Sequence, residues 1–269
     1  PIIVMAHGLG AVRSMRLDAF AERYCAEGYA CLVFDYRYFG DSSGEPRQLL
    51  SIKHQLEDWA NAVKFVQKDK RVDNSKVIIW GSSFSGGHVL KTAVNVPGVS
   101  GVMSQCPFTN GLASTLALHP VSSLKVTALA TLDLLTSLVK KIPVMVNLSG
   151  DPGDAALMTA PDAMSGYNAI KPDNQTIIGH VAARFGFVIT TYFPGRSMGA
   201  ITCPTLLIAC LKDSVAPVGP TLKYAKKLRQ GTVLEFDTGH FDIYVGEWFE
   251  KTVQTQIDWL AKEFPLKRA

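Results

Sequence analysis

The chain lacks any organised set of cysteines. Five occur, Cys25, Cys31, Cys106, Cys203 and Cys210, an odd number with no CxxC pair and no Cys/His cluster at metal-ligand spacing. A disulfide scaffold and a structural metal are therefore not expected, and what remains is buried free thiols in a reducing compartment. Charge of one sign is lacking too. With 27 basic and 23 acidic residues the formal net charge is +4, and the Lys and Arg are scattered, with no basic run interleaved with aromatics. That speaks against nucleic acid as a partner. Long hydrophobic runs are missing as well: the most apolar segment, Val126 to Val139, is short for a membrane span and carries Asp133 in its middle. Pro1 leads straight into "IIVMA" with no basic region before it, so no secretory signal is expected and a cytoplasmic location is the reading. There is no internal repeat and no low-complexity tract.

What is present is alternation. Short apolar runs, "PIIVMA", "ACLVFD", "KVIIW", "VSGVMS", "TLLIAC" and "TVLEF", read as strands covered on both faces. Between them lie helical patterns at Leu17–Glu27, Gln48–Gln67, Ser83–Val94, Thr221–Arg229 and Trp248–Phe264. Strand and helix in alternation predict an α/β fold with a doubly wound, mostly parallel sheet. The rhythm breaks once, where roughly 90 residues from Phe108 to Ser197 replace a single helix, too long for a plain loop. Residues 1–107 and 198–269 are read as one core, and 108–197 as a cap or lid over its carboxyl edge. The first part of the insertion, Leu112 to Lys141, is apolar and helix-like; the second, Ser149 to Asn174, is loop-rich in Gly, Pro, Asp and Asn.

The stretch "KVIIWGSSFSGGH" places a serine between a strand and a helix. A sharp turn permitted by Gly81 would hold that serine above the sheet, with the first free N–H groups of the helix beside it. Register against Gly81 selects Ser83. The last position of the G-x-S-x-G pattern is Ser85, small enough to keep helix and strand close, with Gly86 and Gly87 following. The alternative for such a serine-rich segment is a helix N-cap.

A serine hydroxyl needs a base, and histidine has the pKa for that work. Of six histidines, His7 follows the first strand, His54 and His88 lie in helical patterns, and His119 and His180 fall in the insertion. His240, in "EFDTGHFDIY", follows the last strand on a short loop at the same sheet edge as the serine. The acid that would orient it lies between nucleophile and base in chain order, and Asp213 in "CLKDSVAP" follows the next-to-last strand. Asp237 and Asp242 would have to fold back on His240 to serve. An oxyanion needs two donors. Phe84 N–H, next after Ser83, is one; Leu9 N–H in "HGLG" is the other, with His7 as an organiser of that loop.

Together "HGLG", "DYRYFGDSSGE", "GSSFSGGH", "CLKDSVAP" and "GHFDIY" resemble the α/β-hydrolase superfamily. More narrowly, they are similar to its dienelactone-hydrolase-like and X-Pro-dipeptidyl-peptidase-like subgroup, and to hydrolases and polyketide acyltransferases of fungal secondary metabolism. The resemblance implies the same triad, Ser83, Asp213 and His240. It also implies an antiparallel hairpin ahead of the HG loop, which is expected to be missing from this chain. The function so implied is a serine hydrolase acting on an ester or thioester of a hydrophobic or polyketide-like acyl group; the alternative is transfer of that acyl group to an alcohol or amine. Peptidase and non-catalytic binding readings have less behind them. The expected partner is a small-molecule acyl substrate, with a homodimer left open and no cofactor or metal required.

Overall fold

The computed structural model describes residues 1–139 and 142–266. The chain runs β1 (Ile2–Ala6), α1 (Leu17–Ala26), β2 (Ala30–Phe34), α2 (Ile52–Val66), β3 (Val77–Ser82), α3 (Phe84–Asn95) and β4 (Val99–Gln105). It continues through α4 (Gly111–Ala117), α5 (Pro120–Thr136), β5 (Met145–Ser149), β6 (Ala156–Met158), α6 (Ala163–Ala169), β7 (His180–Ala182) and α7 (Phe185–Thr190). A 3₁₀ turn at Pro194–Ala200 leads into β8 (Thr205–Cys210), α8 (Val218–Ala225), β9 (Gly231–Phe236) and α9 (Gly246–Glu263).

The six apolar runs form one parallel sheet in the order β2-β1-β3-β4-β8-β9. Every residue of β1, β3 and β8 is buried, as continuous apolarity predicts for strands with helices on both faces. Because all six strands run the same way, the loops after β1, β3, β8 and β9 open at one edge, where such sheets place their ligands.

Helix boundaries shift where local hydrogen bonding outweighs periodicity. The helix expected from Gln48 begins at Ile52: Gln48 sits at φ 62° with its N–H on Tyr38 O, and the Ser51 side chain caps the helix by accepting from His54 N–H. The pattern at Thr221–Arg229 becomes α8 three residues earlier, entered through Pro217 and closed by short-range bonds at Lys227 and Leu228.

The segment between β4 and β8 departs most from its reading. Its apolar first part is helical, as α4 and α5; Lys140 and Lys141 at its end, like residues 267–269 of the core, lie outside the described residues. The part read as loop-rich carries a small mixed sheet, with β5 parallel to β6 and antiparallel to β7. Strands of three to five residues are too short to show a period among so many turn formers. Asp133, fully buried on α5, fastens these elements: its carboxylate accepts from Val144 N–H at 2.7 Å and from the backbone and guanidinium of Arg184 at 2.6 to 2.9 Å. Among the described residues no helix is long and apolar enough to cross a membrane.

Candidate active site

Ser83 stands between β3 and α3 at φ 57° and ψ −119°, a left-handed strained backbone that a non-glycine residue holds only under constraint. The constraint is visible. Ser83 N–H donates to Gln105 O at 2.9 Å and its carbonyl accepts from Phe108 N–H at 2.8 Å. A Cβ at Gly81 would stand 2.3 Å from Ser85 O, and one at Gly8 would meet Ser83 Cβ at 2.9 Å, so only glycine lets the turn and the HGLG loop close on the serine.

Three of the predicted residues come together at this edge. His240 Nε2 lies 2.9 Å from Ser83 Oγ, and His240 Nδ1 lies 2.7 Å from Asp213 Oδ2. The second carboxylate oxygen of Asp213 accepts from Val215 N–H at 2.9 Å and Ala216 N–H at 2.6 Å, which fixes its rotamer. The imidazole is 1 % exposed. Burial works against its charged form, but the adjacent Asp213 carboxylate outweighs that and lifts the His240 pKa from 6.5 to about 9. Asp242, a rejected candidate for the acid, ties the loop instead by accepting from Gly239 N–H at 2.9 Å; Asp237 pairs with Lys212.

The two expected oxyanion donors, on Leu9 and Phe84, belong to residues that line one cavity together with Ser83. Among the described residues neither N–H has an acceptor. His7 organises the loop as expected: Nδ1 accepts from Gly8 N–H and Nε2 donates to Met15 O, both at 2.7 Å, and burial lowers its pKa to about 4. His88 is likewise held neutral by burial, with a pKa lowered to about 3, between Tyr192 OH and Gln55. His54 is half-buried on α2 against Tyr38 OH.

The cavity holds about 120 Å³. Phe108, Leu118, Val126, Leu157 and Ile189 supply its apolar wall, from both sides of the inserted segment. Thr115, Thr127 and Thr190 also line it, but each hydroxyl donates at 2.8 Å to a carbonyl of its own helix, which leaves the wall more apolar than its composition suggests.

Several neighbours were not legible as site residues. Ser82 and Ser85 are polar partners: Ser85 Oγ meets Tyr36 OH at 2.8 Å, and Ser82 Oγ pairs with Tyr244 OH and accepts from Gln105 Nε2 at 3.2 Å. The Phe84 ring also matters, lying 5.1 to 5.6 Å from Phe108, Phe185 and Tyr192 and so joining the turn at Ser83 to the segment between β4 and β8. Cys106 Sγ, Asp213 and His240 place their donor atoms within 4.8 Å of one another. Both ring nitrogens of His240 are taken by Asp213 and Ser83, so the imidazole has no lone pair for an ion while that chain is intact. All five cysteines are free, as expected; Cys106 and Cys210 are buried, whereas Cys25 is exposed.

A parallel sheet with a strained serine after its third strand, and an aspartate and a histidine after its last two, defines the α/β-hydrolase class. The chain belongs to that family: residues 1–247 match the family model for the alpha/beta hydrolase fold. It is 52 % identical over 267 residues to the quorum-quenching protein AidA of Acinetobacter baumannii (strain MDR-ZJ06), covering 99 % of this chain and 88 % of that one. It is 24 % identical to the thiohydrolase aneE of Aspergillus aculeatus, over 99 % of this chain and 88 % of that one. Among solved structures, DcsB in complex with its substrate analogue superposes with a TM-score of 0.82 at 21 % identity, over 98 % of this chain and 91 % of that one. The family, with relatives named as a thiohydrolase and as a polyketide transferase, supports an enzyme of the esterase, thioesterase or acyltransferase kind.

Proposed function

We propose that this protein is a serine hydrolase that cleaves the ester, lactone or thioester bond of an acylated signalling molecule. The observation that carries the reading is the chain Asp213–His240–Ser83, at 2.7 and 2.9 Å, opening into an apolar cavity. Ser83 Oγ attacks the acyl carbonyl carbon while His240 Nε2 takes its proton, and the oxyanion forms opposite Leu9 and Phe84 N–H. As the tetrahedral species collapses, the bond to the leaving heteroatom breaks and His240 returns the proton to it. Water, activated by the same imidazole, then releases the acid. Residues 108–197 act as a cap that shapes the acyl site. The 52 % relative's name supports a signal as substrate; the apolar wall supports a carbon chain on the acyl side.

Acyl transfer is the second reading, favoured by how little of His240 is open to bulk water. Labelling with a fluorophosphonate tests the mechanism: an adduct on Ser83 that disappears in Ser83→Ala is expected, and equal labelling of both proteins would overturn it. Product analysis of an ester with and without an alcohol acceptor separates hydrolysis from transfer.

A further inference from the structure

A second, smaller cavity of about 20 Å³ shares Leu9, Ser83 and Met158 with the first and extends to His7, Gly8, Tyr167, Ile170, His240 and Tyr244. Its place fixes its use. In an acyl-enzyme mechanism the group that receives the proton from His240 Nε2 is the leaving heteroatom, so whatever is attached to that atom must extend on the side that His240 lines. The larger cavity, which holds both oxyanion donors and the apolar wall, is then left to the acyl chain.

The polar side chains of the smaller cavity are nearly all engaged. His7 uses both ring nitrogens on Gly8 and Met15, His240 uses both on Ser83 and Asp213, and Tyr244 OH pairs with Ser82. Tyr167 is the exception among these residues. Its side chain is buried, 2 % exposed, and its hydroxyl has no hydrogen-bond partner. A buried hydroxyl without a partner, on a residue that lines a cavity together with Ser83, leaves a donor that a bound ligand can engage. The ring is held firmly: α6 rests on Phe241 through Gly166, its flanking Asp162 accepts from Ser214 Oγ at 2.6 Å, and Lys171 Nζ sits 5.0 Å over the Tyr167 ring. Burial pushes the Tyr167 pKa up, so at neutral pH the hydroxyl keeps its proton and donates.

We infer that Tyr167 forms a leaving-group subsite, its hydroxyl donating a hydrogen bond to an acceptor oxygen carried by the alcohol or thiol portion of the substrate. The inference rests on the acyl-enzyme reading above and adds to it a substrate class: esters, lactones or thioesters whose leaving portion bears a carbonyl or ring oxygen, in preference to plain alkyl ones.

The test compares the wild-type chain with Tyr167→Phe on two thioesters of one acyl group, S-(2-acetamidoethyl) butanethioate and S-pentyl butanethioate. Their leaving chains match in length, and only the first carries a carbonyl. Wild-type protein is expected to prefer the acetamidoethyl ester, and Y167F to lose about tenfold in kcat/KM on it, mainly through KM, with the pentyl ester changed less than twofold. Since the hydroxyl has no partner in the protein, the variant is expected to melt at the same temperature or higher. Equal effects on both thioesters, no effect on either, or a melting point several degrees lower would overturn the subsite. So would failure of a protein that labels at Ser83 to turn over either thioester. Absence of fluorophosphonate labelling at Ser83 would strike the acyl-enzyme reading itself, which keeps the two failures apart.

Discussion

Gly166 lies directly against Phe241: a Cβ on the glycine would stand 2.4 Å from the phenylalanine ring. Helix α6 of the inserted segment thus rests on the residue next to His240, and the position of the imidazole depends on a contact from outside the main sheet. Gly166→Val must push ring and helix apart, at a cost of about 1–3 kcal/mol for overpacking a closed contact. Because His240 Nε2 is 2.9 Å from Ser83 Oγ, the displacement is expected to cut kcat at least tenfold. Steady-state kinetics and thermal melts check both effects. Wild-type kcat in a destabilised variant would show that α6 does not set the histidine.

Asp213 controls when His240 can act. The carboxylate holds the imidazole pKa at about 9, above its ordinary 6.5, so the base is neutral, and able to accept the Ser83 proton, only as the pH rises toward that value. Activity is therefore expected to fall as the pH drops through the raised pKa. In Asp213→Asn the charge is lost and the acidic limb of kcat/KM moves to lower pH, while kcat falls roughly 10³–10⁴-fold because the tautomer is no longer held. A pH–rate profile of both proteins decides the matter. An acidic limb unmoved by the substitution would mean that some other group titrates there.

Ser85 occupies the place where the G-x-S-x-G pattern has glycine, and its hydroxyl meets Tyr36 OH, which in turn accepts from Trp59 Nε1 at 2.8 Å. Restoring the pattern with Ser85→Gly removes a buried partner and adds backbone freedom at a helix start, for a loss of about 1–2 kcal/mol. Catalysis has no stake in that hydroxyl, so kcat/KM is expected to stay within about threefold. A large gain in activity would instead show that serine there is a catalytic handicap.

These cases also show what a sequence can carry. The main sheet and the residues Ser83, Asp213 and His240 were readable because each sits at a strand end, and strand ends are marked by apolar runs that stop at Gly, Asp or Ser. Phe84 followed from chain adjacency to Ser83, and Leu9 from the HGLG loop that follows the first apolar run. Tyr167, Gly166 and Asp133 were not readable. They matter through contacts with residues far off in sequence, in a segment whose strands are too short for any period to show. The part played by the Phe84 ring was not readable for a like reason: its partners Phe185 and Tyr192 lie about a hundred residues away and carry no motif.

Asp133 gives the last test, since its one carboxylate ties α5 to Val144, just before β5, and to Arg184, the residue that caps α7. Asp133→Ala strands Val144 N–H and Arg184 N–H without acceptors; the Arg184 side chain, 28 % exposed, can turn partly to water, so the loss is expected at about 2–4 kcal/mol. As α5 and α7 also wall the larger cavity, KM for long acyl esters should rise more than kcat falls. The pH dependence follows from the same group. Burial alone would raise the Asp133 pKa, but Arg184 and the two backbone donors outweigh it and hold it below the ordinary 3.8. A carboxylate so depressed contributes stability that is present above its unfolded pKa and disappears as the pH falls through the folded one. Acid melts should therefore show the wild-type advantage over Asp133→Ala shrinking below about pH 4. An advantage that stayed constant down to pH 2 would mean that the fastening does not depend on the charge of Asp133.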